Sequence, residues 1–238
     1  MIASPAVLLR EAWAIAVRDR PLLIALAGVF VLLPQLAVLL WVPQPPPLSS
    51  DIELAALLEG LRAWWSANAV PLIAAMALGL VGQAAIAALL LDARRPTVGE
   101  TIGIGFATLP WLFMASALGN LIVVGGLFAF VIPGLYIAGR AFPLAVVMTV
   151  EKWRNPVAGL VRTLRLTRGH GFVLLAVQMA LWLLAAFPAS IFARIGVAGA
   201  DSPVIVFIGA LGQAVIASAA AVASLLMQAT LYRRLAAR

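Results

Sequence analysis

Arg140 is the one charged residue between Leu109 and Val150, a stretch otherwise apolar enough to lie in a membrane. A charge at such a position is costly unless it is paired, hydrated or snorkelling to a headgroup. Its guanidinium could bind an anionic solute or a lipid phosphate through a planar fork of donors. It could equally clamp carbonyls at a helix end, or snorkel to the outer surface. The other apolar runs carry no embedded acid to pair with it. They carry amides instead: Gln35, Gln83, Asn120, Gln178, Gln213 and Gln228. With Arg140, Gln83, Asn120, Gln178 and Gln213 form a candidate polar or lipid-binding set. The alternative is ordinary bonding across helices, worth ~0.6 kcal/mol each. Arg162, Arg165 and Arg168 form an interfacial basic set suited to anionic lipid.

Other chemistries lack their residues. There is no cysteine, hence no disulfide and no thiolate metal site, and His170 is the only histidine. His170 sits in Arg168-Gly169-His170-Gly171, where a lone histidine reads as structural. No H-E-x-x-H, P-loop or G-x-S-x-G occurs, and no carboxylate pair lies in an apolar run. The expectation is a non-enzyme without cofactor or metal.

These residues must be positioned by membrane helices. The chain has 238 residues, 64% hydrophobic and 11% charged. Soluble domains are about half apolar and a quarter charged. Runs near ~20 apolar residues suit a helix crossing the hydrocarbon core. Six spans are predicted, at about 21–42, 71–91, 109–131, 133–150, 171–193 and 203–228. The third and fourth are separated by a turn expected at Pro133-Gly134. That turn puts Arg140 about 9 Å along its helix from the outer end. The first run is too long for a signal-peptide h-region and reads as a permanent span. The last span is rich in small residues, including Ala214, Ala217, Ser218 and Ala221, and should lie centrally in the bundle. Pro34, Pro143 and Pro188 should kink the first, fourth and fifth spans.

The basic residues set the orientation. Arg10, Arg18, Arg20, Arg94, Arg95, Lys152, Arg154, Arg162, Arg165, Arg168, Arg233, Arg234 and Arg238 fall on one side. Only Arg62 and Arg194 fall on the other. The positive-inside rule then places both termini in the cytoplasm of a bacterial inner membrane. Trp41, Trp64 and Trp65 mark the outer interface; Trp111, Trp153 and Tyr232 mark the inner one. The net charge of +7 fits loops anchored against anionic lipid rather than nucleic acid, because no basic domain stands apart from the spans.

Helix-start signals precede the first, third and fifth spans. Ser4-Pro5 and Asn155-Pro156 read as N-cap followed by proline, and Thr97-x-x-Glu100 reads as a capping box. Amphipathic elbows are expected at about 5–18, 97–107 and 156–167. Three units of elbow plus hairpin is one reading; ordinary connectors between spans is the other. Outside, a proline-rich stretch from Pro43 to Pro47 precedes a capping box, Ser50-x-x-Glu53, and an interfacial helix at about 50–65. The fold expected is therefore an all-α integral membrane protein with six spans and interfacial elbows.

The order Ile132-Pro133-Gly134-Leu135-Tyr136, Arg140, Pro143, Glu151, then Leu164-Arg165-Leu166-Thr167-Arg168-Gly169 resembles one membrane-domain superfamily. It includes the membrane domain of bacterial glycerophosphoryl diester phosphodiesterases and the YciC-like inner-membrane proteins. The likeness covers about forty residues, Ile132 to Phe172; elsewhere only the layout agrees. In the phosphodiesterases a soluble catalytic domain accompanies the membrane part. The sequence given ends at Arg238 without one, so the hydrolase activity is not expected here. The leading expectation is a scaffold or lipid-associated envelope protein, with anionic membrane lipids as partners. The alternatives are a small permease with a polar site near Arg140, and a subunit that recruits a soluble enzyme. A protein partner or a second copy is compatible with all three.

Overall fold

A computed structural model of the chain describes residues 5–47, 53–92, 94 and 96–236. The described residues form helices and connecting turns, with no strand. In chain order these are α1 (Pro5–Arg18), α2 (Arg20–Ala27), a π-helical turn (Gly28–Leu32), α3 (Leu33–Trp41), α4 (Leu54–Leu91), α5 (Val98–Ala129), α6 (Val131–Ala141), α7 (Leu144–Val150), α8 (Pro156–Leu166), α9 (Gly171–Ala198) and α10 (Pro203–Ala236). Six segments are long and apolar enough to span: Arg20–Trp41, Leu54–Leu91, Val98–Ala129, Val131–Val150, Gly171–Ala198 and Pro203–Ala236. The protein is an all-α, six-span membrane protein.

Local signals explain several boundaries. Thr97 and Glu100 form the reciprocal capping box that opens α5. Asn155 Oδ1 accepts from the Ala158 N–H at 3.0 Å and opens α8, with Pro156 at its first position. Ser4 lies outside the described residues, as does Ser50.

Several expectations are corrected. Of the segment expected at 50–65, the described part from Leu54 is not a separate interfacial helix. It is the first part of α4, which runs unbroken for 38 residues. Nothing between Trp65 and Pro71 breaks it, because Ser66 and Asn68 return their side chains to the carbonyls of Ala63 and Trp64. Likewise 97–107 is continuous with the third span in α5. Its glycines mark no bend; a Cβ on Gly105 would come 2.7 Å from the Val81 carbonyl oxygen, so this glycine lets α4 and α5 touch. The three elbow units are therefore not equivalent: α1 and α8 are separate helices and the middle elbow is not.

The turn between the third and fourth spans is at Phe130, not at Pro133-Gly134. Phe130 adopts extended backbone (φ −156°, ψ 120°) between α5 and α6. Pro133 falls in the first turn of α6, where no N–H is needed. Gly134 serves packing, since a Cβ there would lie 2.5 Å from the Leu127 nitrogen. Pro143 does interrupt the fourth span, splitting α6 from α7. Pro34 follows the π-helical turn, whereas Pro188 sits inside an unbroken α9.

The bundle has a terminal end and a far end. At the terminal end Glu11 of α1 pairs with Arg234 of α10 at 2.5 Å. Arg233 donates to the Leu90 carbonyl at 2.7 Å, and the Tyr232 hydroxyl lies 3.3 Å from Glu151. Both terminal helices thus share one end, as an even number of crossings requires. At the far end the Trp64 indole donates to the Pro43 carbonyl at 2.8 Å. The core has two clusters, one around Leu26, Ile86, Leu174 and Leu225, the other around Leu112, Leu144, Met148 and Leu160.

Candidate functional site

Arg140 is the penultimate residue of α6, and its Nη2 donates to the carbonyl of Leu164 in the last turn of α8. The last four carbonyls of a helix lack helical donors, and that end is electronegative. Arg140 thus supplies both a donor and a positive charge. Its guanidinium carbon also stands 5.5 Å from the centroid of the Tyr136 ring, a cation–π arrangement.

The contact is reciprocal. The Thr167 hydroxyl lies 3.0 Å from the Arg140 carbonyl and 2.8 Å from the Thr163 carbonyl, and donates to one at a time. The Gly169 N–H donates to the Tyr136 hydroxyl at 3.3 Å; Gly169 takes φ +83°, which only glycine adopts readily. A Cβ on Gly139 would collide with the Gly171 carbonyl, and one on Gly171 would lie 2.5 Å from the Tyr136 ring. So Pro-Gly-x-Tyr, Arg140 and Leu-Thr-x-Gly, about thirty residues apart in the sequence, form one junction between α6, α8 and α9.

A second polar centre holds α8 from its other side. Glu151 accepts from Arg162 (2.9 Å) and from the Trp153 indole (2.9 Å). Burial pushes the Glu151 carboxyl up, but the bonds from Arg162 and Trp153 outweigh it and hold the group below the ordinary glutamate range. Of the expected basic set, Arg162 is therefore an ion-pair partner, whereas Arg165 and Arg168 are exposed. Glu151 appears in the sequence as a lone acid beside a basic elbow; its partner eleven residues on could not be read there.

The amides do not gather around Arg140. Asn120 is exposed on α5 and Gln83 is half-buried. Gln213 bonds back to Gly209 of its own helix (3.3 Å), and Gln228 to Ser224 (3.2 Å). Gln178 faces a groove of about 390 Å³ between α9 and α10. Ser218 does make a polar contact between spans, its hydroxyl donating to the Ala27 carbonyl at 3.3 Å.

One apolar cavity was not anticipated from the sequence. A groove of about 610 Å³ runs between α1, α2 and α10, lined by Leu23, Ile24, Val215, Leu226 and other apolar side chains. Arg20 and Trp13 also line it, and Trp13 is 72% exposed. Its sequence signal is the run of small residues on α10, where Ala219 and Ala223 leave the space open. Two smaller cavities, of about 260 and 180 Å³, flank Lys152. Arg140 lines none of these four cavities. Among the described residues no group of three or more histidine, acidic or cysteine side chains could hold a metal ion.

Comparison with protein families, with curated proteins and with solved structures finds no match.

Proposed function

We propose that this chain is a non-enzymatic, multi-pass protein of the bacterial inner membrane with a lipid-associated role in the envelope, its termini cytoplasmic. The single observation carrying the reading is the groove between α1, α2 and α10. Its lining is almost wholly apolar, and it contains one cation, Arg20. An acyl chain fits such a lining, and an anionic headgroup complements the arginine. The position of Arg140 supports this reading over a permease, because its charge is spent on a helix end.

Lipid content tests the proposal. The full chain, extracted in mild detergent, should retain phospholipid detectable by native mass spectrometry. Ala219→Phe with Ala223→Phe fills the groove from α10 and should remove at least half of that lipid. An equal lipid complement in the filled variant and the wild type, with both folded, overturns the assignment.

A further inference from the structure

The two small cavities at the terminal end share Ile104, Thr149 and Lys152. Lys152 is the only lysine of the chain; every other basic residue is arginine. Its backbone is left-handed, with φ +55°, the one positive φ outside glycine among the described residues. It caps α7: the Trp153 N–H reaches back to the Met148 carbonyl at 3.1 Å, closing a Schellman-type turn. Glycine is the usual occupant of that position because it has no Cβ to strain. A lysine standing where glycine is easier points to a task for its side chain.

The surroundings indicate the task. Lys152 and Arg154 are both exposed, and both line the smaller cavity with Trp111, Trp153 and Met148. The larger one includes Asp92, but that carboxylate is already held by Arg94, by side chain at 2.9 Å and by backbone N–H at 3.0 Å. The rim is therefore net cationic over apolar and indole walls, the pairing found where headgroups meet hydrocarbon. Lysine is a compact point charge suited to phosphate. We propose that Lys152 and Arg154 hold a phosphate group, of an anionic lipid headgroup or free, at the mouth of these two cavities. The site is separate from the α1–α10 groove and does not depend on it.

Melting the full chain in detergent tests this. Three additions are compared: phosphatidylglycerol, phosphatidylcholine and inorganic phosphate. Phosphatidylglycerol should raise the wild-type melting temperature by a few degrees more than phosphatidylcholine does. Lys152→Gly relieves the left-handed strain, so its basal melting temperature should equal or exceed wild type, while at least half of the anionic shift is lost. Adding Arg154→Gln should remove the rest, and Ala219→Phe with Ala223→Phe should leave the shift intact. A Lys152-dependent shift with inorganic phosphate as large as with the lipid assigns the site to free phosphate. An undiminished shift in Lys152→Gly/Arg154→Gln overturns the proposal, as does a lowered basal melting temperature in Lys152→Gly, which would make the lysine structural.

Discussion

Arg140 and Leu164 stand 24 residues apart, yet the guanidinium of one closes on the carbonyl of the other. That bond ties the end of α6, where the fourth span is split, to the last turn of the elbow α8. Removing it leaves the Leu164 carbonyl only the Thr167 hydroxyl, 3.4 Å away and shared with two other carbonyls. Arg140→Gln should lower stability by about 1.5–3 kcal/mol, the range for a hydrogen bond to a charged group. Arg140→Lys should cost less, because a cation still faces the negative end of α8. Melting temperatures in detergent rank the variants; an Arg140→Gln protein as stable as wild type would defeat the clamp.

Glycine substitutions should divide by location. At Gly139 and Gly171 an added methyl meets backbone or the Tyr136 ring, and overpacking of this kind costs about 1–3 kcal/mol. At Gly79 and Gly103, both within helices, an added Cβ meets nothing within 4 Å. There alanine should be neutral or stabilising by up to about 1 kcal/mol. Equal melting temperatures for Gly139→Ala and Gly79→Ala would contradict the close α6–α9 crossing.

The Glu151 centre gives a pH dependence of definite sign. A carboxyl held below its ordinary range binds protons less readily folded than unfolded. Its contribution is therefore present above the ordinary glutamate range and is lost as pH falls through the depressed value. The wild-type melting temperature should drop at acid pH, and Glu151→Gln should flatten part of that drop. The effect stays below about 1 kcal/mol, since Arg162 is partly exposed and solvent screens the pair. A variant with an unaltered acid profile would assign the drop to other carboxylates.

Topology is open to direct measurement. Reporters fused after Arg95, Arg168 and Arg238 should all show cytoplasmic locations, and one placed within Pro45–Ser50 should show the periplasm. A periplasmic signal at Arg168 would break the pairing of the third and fourth spans.

The sequence by itself determined the class and the number of crossings. Six apolar runs in a chain with 11% charged residues leave a helical bundle as the solution for lipid, since each helix satisfies its own backbone. It also determined the starts of α5 and α8, because Thr97, Glu100 and Asn155 act on N–H groups within three residues. Tertiary structure decided the rest. Gly134 and Gly105 look alike in sequence to glycines that end helices; only a neighbouring backbone 2.5–2.7 Å from a would-be Cβ makes them packing sites. Arg140 announced a charge needing a partner, but its partner is a main-chain carbonyl, which every residue has. Which carbonyl lacks a helical donor, and lies within reach of the guanidinium, is set only when α6, α8 and α9 meet.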